Sequence, residues 1–318
     1  MVHELEEWAA RHGYAVAWGD LSAVGEALDD LRRREDGGEL DAEVRRTCLP
    51  EFDDRAAWPR GEPRRVLLVA VPRPAHRLTF TFGGASFEVL APPTYVEYRR
   101  LPGVVRAQLE TDGPGARLGL EPLSAPLKST AARLGLVRYG RNNVTYVPGM
   151  GSYFQLVGFL ASAALELPAD WRPQPPLELP TCAGCGLCLQ ACPTGAITED
   201  RFLIRAERCR TFHNESPDPW PERLQAASLD CLIGCLDCQE ACPENAGRLE
   251  VEASPVRFTE AETSALLQGE AERAGPAGER LRAGFETLGM LHHGPVLGRN
   301  LGVLLRARGL HAAPKAAP

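Results

Sequence analysis

The residues best suited to chemistry are cysteines, and nine of the ten lie between Cys182 and Cys242. Cys182, Cys185, Cys188 and Cys192 precede Pro193 in the pattern C-x2-C-x2-C-x3-C-P. Three thiolates at this spacing wrap one face of a [4Fe–4S] cubane, while the fourth ligates a neighbouring cluster. Gly184 and Gly186 let the backbone pass close to the inorganic core. The second run is Cys235, Cys238, Cys242 and Pro243, with Leu232 where its first cysteine would stand. Cys209 fills that place in our assignment. Cys231, one residue off the standard spacing, competes for it. One cluster then takes Cys182, Cys185, Cys188 and Cys242, and the other takes Cys192, Cys209, Cys235 and Cys238. Four thiolates also hold zinc, but the doubled pattern is specific to ferredoxin-type clusters. The isolated Cys48 reads as a small buried hydrophobe.

These cysteines need a scaffold, and 318 residues with a hydrophobic fraction of 44% supply one. The formal net charge of -7 disfavours a general nucleic-acid face, although Arg60, Arg64, Arg65, Arg99 and Arg100 form a local basic group in the sequence. Lys128 and Lys315 are the two lysines, and Lys128 stands out as an internal one. Residues 1–7 are acidic and lack a leader pattern. Apolar runs such as 66–71 and 159–165 are too short to span a bilayer. A reducing cytoplasm, with no membrane association, is the expectation.

The organisation reads as α+β in three parts. Residues 1–175 form an α/β domain, 176–255 a ferredoxin-like double-cluster domain, and 256–318 a short helical segment. Helical spacing is read over 4–11, over 22–34 with Ser22 as N-cap, and over 95–110, 126–134 and 153–165. Residues 65–71 read as a buried strand and 143–147 as an alternating one. Residues 168–180 are proline-rich and read as a linker, and 269–278 as a loop. The last residues, 312–318, are expected to fray.

At Gly234, Cys235, Cys238, Gln239, Cys242 and Asn245 the chain resembles the second cluster motif of epoxyqueuosine reductases. The likeness continues through residues 124–128, 131–136, 140–142 and 151–154. It also includes Arg299, Asn300 and Leu301, which resemble the start of that family's helical tail. The resemblance implies a cobalamin in the N-terminal α/β domain, bordered by Gly140, Arg141, Asn142, Gly151, Ser152 and Tyr153. It implies electrons supplied by a donor such as flavodoxin or ferredoxin, passing through two [4Fe–4S] clusters to the corrinoid, and tRNA as a partner. The family's catalytic aspartate corresponds to Leu123 here. The proton-donor candidates are therefore Tyr95, Tyr98, Lys128 and Glu121, with Arg141 as the basic helper. The rival readings are a non-catalytic electron carrier and a corrinoid reductase for a small organohalide-type molecule.

Overall fold

Residues 66–71 alternate between two apolar layers, and this strand organises the first half of the molecule. A computed structural model describes residues 1–48, 64–221, 224, 231–269 and 275–310. The side chain of Cys48, Arg60 and residues 312–318 lie outside the described residues, as does part of the expected loop at 269–278. The chain divides into two compact units. One contains Met1–Arg73, Arg99–Glu207 and Cys238–Arg248, and the other Pro74–Tyr98, Arg208–Asp237 and Leu249–Pro318. The cysteine segment, expected to be one domain, thus contributes to both.

The first unit holds strands β1 (Ala15–Asp20) and β2 (Arg64–Pro72). The paired strands β3 (Ala75–Phe82) and β4 (Ala85–Ala91) belong to the second. In the first unit follow β5 (Glu121–Pro122), β6 (Arg138–Tyr139), β7 (Thr145–Tyr146) and β8 (Phe154–Ser162). Its main sheet has the order β1-β2-β8-β5, with every pair antiparallel. Leu67, Val69 and Val71 face a layer with Leu5, Trp8, Val105 and Leu109, whereas Val66, Leu68 and Ala70 face Val24, Leu28 and Ala131. Both faces are therefore dry, and an unbroken apolar run is what such a strand requires.

Two-faced burial also explains a correction. Residues 153–165 are largely strand β8, not the expected helix. Val157, Phe159 and Ala161 pack on one layer and Phe154 and Leu156 on the other, which erases the period-two signal. The expected helix at 95–110 begins later, at Leu101, after a run of turns. Ser22 is the first helical residue rather than the cap, and its N–H is taken by the Asp20 carboxylate at 3.0 Å. Of residues 143–147 only Thr145–Tyr146 are strand, paired with Arg138–Tyr139.

The second unit is built on β3, β4 and β9 (Val251–Phe258), in the order β4-β3-β9. The β3–β4 hairpin turns at Gly83 and Gly84, both at positive φ (61° and 78°), as a tight two-residue turn demands. The Glu260 carboxylate accepts both of their N–H groups, at 2.9 and 3.1 Å. Helices Glu260–Leu267, Pro276–Thr287 and Gly294–Ala307 cover the sheet through Leu266, Leu281, Phe285, Leu297 and Leu301. Phe258 lies between Phe80 and Phe285, its ring centroid 4.7 and 4.9 Å from theirs. Among the described residues no helix is long and apolar enough to cross a membrane.

Candidate iron–sulfur site

In the first unit Cys182, Cys185, Cys188 and Cys242 line one pocket, together with Gly140, Arg141, Asn142, Tyr146, Thr181 and Pro243. This is the four-cysteine set assigned from spacing. Cys182 ends a short turn, Pro180–Cys182, Cys188 lies on a short helix, Leu187–Ala191, and Cys185 falls between the two. Cys242 follows the turn of helix Asp237–Glu240. All nine described cysteines between Cys182 and Cys242 are free thiols. Among the described residues no three His, Cys, Asp or Glu side chains converge on a single-ion position.

Burial pushes the Cys182 and Cys188 thiols up, and neighbouring cysteines add to the effect. Cys192 behaves differently. Burial also acts upward there, but N–H groups of Thr194, Ala196 and Ile197 and the Thr194 hydroxyl outweigh it and lower its pKa. Hydrogen bonds to sulfur are the usual means by which a protein stabilises thiolate ligands.

Asn245 fixes the segment that carries Cys242. Its Oδ1 accepts the Ser152 N–H at 2.8 Å, and its Nδ2 donates to Ser152 Oγ and to the Gln239 carbonyl, each at 2.8 Å. Ser152 Oγ in turn donates to Gln239 Oε1 at 2.9 Å. Gly151, at φ 83°, must be glycine, because a Cβ would stand 2.6 Å from Asn245 Oδ1. Tyr153 is buried beside Glu240, Cys238 and Cys242, and burial followed by those charges raises its phenol pKa. Arg141 Nη2 reaches the Cys182 carbonyl at 3.4 Å.

Of the six residues expected to border a corrinoid, Gly140, Arg141 and Asn142 line the cysteine pocket, Tyr153 lies beside Cys238 and Cys242, and Gly151 and Ser152 meet Asn245. The space freed at Gly140 is filled by Asn142 Oδ1 and the Tyr146 ring, at 2.5 and 2.6 Å from a built Cβ, and that at Gly151 by Asn245. Gly149 retains open space. The two filled glycines therefore do not fit the role of opening the backbone to a large planar ligand.

In the second unit Cys209 precedes helix Arg210–Glu215. Cys235 lies beside Arg210, whose Nη1 is 3.7 Å from Cys235 Sγ and 3.2 Å from Asp237 Oδ2. Burial, with the Asp237 carboxylate and Cys209 adding to it, pushes the Cys235 thiol up to about 12. Cys231 is 5% exposed and bridges to Leu90.

Of the proton-donor candidates, Tyr95 and Tyr98 belong to the second unit and Glu121 and Lys128 to the first. Tyr95 is half-buried against Gly234, donates its hydroxyl to the Glu215 carboxylate, and lies 5.6 Å from the His293 ring. Burial and then Glu215 hold its phenol well above the ordinary tyrosine range. Tyr98 is 48% exposed, Lys128 is exposed on helix Leu127–Arg133, and Glu121 is bonded to Arg64. Leu123 packs beneath β8, its N–H bonded to the Gly158 carbonyl at 3.0 Å.

Residues 181–245 match the family model of the 4Fe-4S double cluster binding domain. Part of the chain is similar in sequence to epoxyqueuosine reductases, and its fold resembles theirs. That of Synechococcus sp. strain RCC307 is 39% identical over 150 residues, covering 46% of this chain and 44% of that protein. The chain therefore spans less than half the length of this curated relative. The epoxyqueuosine reductase of Streptococcus thermophilus superposes with a TM-score of 0.63 over 96% of this chain and 81% of its own, at 18% identity. A third, an epoxyqueuosine reductase with a tyrosine tRNA stem loop carrying epoxyqueuosine, superposes at 0.60 over 96% and 80%, at 19% identity. These likenesses show the epoxyqueuosine reductase fold, with the double-cluster segment built into it.

Tyr146, which sequence reasoning passed over, lies at the pocket because Asn142, four residues away, turns toward it. Arg299 and Asn300, in the stretch that resembles that family's helical tail, also bond the chain between Cys209 and Cys235. Nη1 of Arg299 donates to the Ser216 carbonyl at 2.8 Å, and Nη2 to the His213 carbonyl at 2.8 Å.

Proposed function

We propose that the chain is an iron–sulfur reductase of the epoxyqueuosine reductase type, binding two [4Fe–4S] clusters through the eight assigned cysteines. The observation that carries this reading is the pocket that gathers Cys182, Cys185, Cys188 and Cys242. The clusters would supply one-electron steps from a carrier such as flavodoxin or ferredoxin. The protein's own residues would hold them. Asn245 and Ser152 position the Cys242 turn, and Arg141 and Asn142 close the pocket rim. The eighth ligand is assigned to Cys209 ahead of Cys231, which is 5% exposed and bridged to Leu90.

Cobalamin enters the reading through the resemblance alone, so no step is routed through it. The proton-donor role is assigned among Tyr95, Tyr98 and Lys128, with Arg141 as helper. Turnover of a tRNA stem loop carrying epoxyqueuosine, by the reconstituted protein with reductant and added cobalamin, tests the assignment. Loss of turnover in Tyr95→Phe, Tyr98→Phe or Lys128→Ala with iron content retained supports it, and wild-type turnover in all three removes it.

A tRNA partner would need phosphate contacts. The candidates are Arg60, Arg64, Arg65, Arg99 and Arg100, of which Arg64 and Arg65 face Glu121 and Asp20. A gel shift at two salt concentrations must show salt-dependent binding if phosphates are engaged. No binding at low salt would remove tRNA as the substrate.

The filled space at Gly140 and Gly151 favours a second reading, a non-catalytic electron carrier. A cob(II)alamin spectrum retained through gel filtration supports the reductase, and its loss supports the carrier.

A further inference from the structure

The pocket in the first unit contains a polar pair that no cysteine pattern explains. Asn142 is 4% exposed and Tyr146 is 1% exposed. Asn142 Oδ1 accepts the Val144 N–H at 3.2 Å. Its Nδ2 donates to Tyr146 Oη at 2.9 Å and to the Cys238 carbonyl at 3.2 Å. This pattern fixes which end of the amide is nitrogen, because the reverse orientation would set Oδ1 against the Cys238 carbonyl and NH2 against an N–H.

The orientation has a consequence for the phenol. Tyr146 Oη accepts from Asn142, so its own proton must go elsewhere, and burial excludes water. Cys242 lines the same pocket as Tyr146 and is a neighbour able to receive it. Gly140 completes the arrangement, since any side chain there would displace Asn142 or the Tyr146 ring. A buried hydroxyl thereby lies in the pocket that the four cysteines line.

We propose that the Tyr146 hydroxyl, oriented by Asn142, donates a hydrogen bond to the Cys242 sulfur and raises the reduction potential of the cluster that Cys242 ligates. This rests on the two-cluster reading above. Reduction adds one electron to the cluster and leaves the proton on Tyr146. The added negative charge spreads onto the thiolate sulfurs, so a donor there stabilises the reduced state more than the oxidised one. Tyr146 is in this account a positioning residue for an electron-transfer centre, and its effect is on potential rather than on assembly.

The test is a dye-mediated redox titration of the reconstituted holoprotein, followed by electron paramagnetic resonance, for wild type and Tyr146→Phe. Phenylalanine keeps the ring and removes only the donor. At the potential that half-reduces this cluster in wild type, the variant is expected to show an oxidised-to-reduced ratio higher by about tenfold, equivalent to about 59 mV for a one-electron couple. The other cluster should not shift. A second measurement needs only the wild type. Electron–nuclear double resonance of the reduced cluster in H2O and D2O should reveal an exchangeable proton, which Tyr146→Phe abolishes. An unchanged potential in a variant with full iron content, or no exchangeable coupling in wild type, would overturn the proposal. A wild-type chain that takes up no cluster would instead overturn the two-cluster reading, and the proposal with it.

Discussion

Asn214 grips Gly234 from both sides of the glycine. Its Nδ2 donates to the Gly234 carbonyl at 2.6 Å, and its Oδ1 accepts the Gly234 N–H at 2.9 Å. Gly234 immediately precedes Cys235 and sits at φ 73°, with the Tyr95 ring where a Cβ would be. Asn300 extends the clamp, donating to the Asn214 and Leu232 carbonyls at 2.8 and 3.0 Å. A buried asparagine from the last described helix therefore fixes the loop that presents Cys235.

Asn300→Ala should destabilise the protein by about 1–3 kcal/mol, since two buried carbonyls lose their donor. Denaturant unfolding of the holoprotein measures this. A change below about 0.5 kcal/mol would place the clamp outside the stability of the fold.

Substitutions at Gly149 and Gly151 separate backbone strain from packing. Both residues have positive φ, 81° and 83°. Gly149→Ala meets open space and should cost about 1–2 kcal/mol from conformation alone. Gly151→Ala would also displace Asn245 and so loosen the Cys242 turn. Iron content should stay near wild type in the first variant and fall in the second.

How far the sequence reveals this architecture depends on the range of each signal. Cysteine spacing is local, and the assignment of Cys182, Cys185, Cys188 and Cys242 to one cluster was drawn from it. Strand β2 was legible because its apolar run ends at a proline. Strand β8 was not, because burial on both faces removes the alternation that separates strand from helix. The β3–β4 hairpin carried its own sign in the Gly83–Gly84 pair, a signal left unused. The roles of Tyr146, Asn214 and Asn300 depend on partners distant in the chain or on the orientation of one amide, and no periodicity encodes those.

Glu262 supplies a pH-dependent contribution in the second unit. It closes a capping box with Thr259 and pairs with Arg280 at 2.9 Å. Burial acts to raise its pKa, but the Thr259 N–H and hydroxyl and the Arg280 guanidinium prevail, so it lies below 4.5. A depressed carboxylate stabilises the fold above its unfolded value and loses that effect as pH falls through the folded one. Glu262→Gln should therefore cost about 1 kcal/mol at pH 7, with the difference shrinking below pH 4.5. Unfolding of wild type and variant at several pH values checks this. A pH-independent difference would mean that the charge of Glu262 contributes nothing.

The central claim is interleaved ligation, and single cysteine-to-serine variants of the reconstituted protein test it most directly. Cys242→Ser should remove the same paramagnetic signal as Cys185→Ser, although the two are far apart in sequence. Cys192→Ser should remove the other signal, shared with Cys235→Ser. If Cys242→Ser instead removes the signal lost in Cys235→Ser, each run of cysteines holds its own cluster and the interleaved account is wrong.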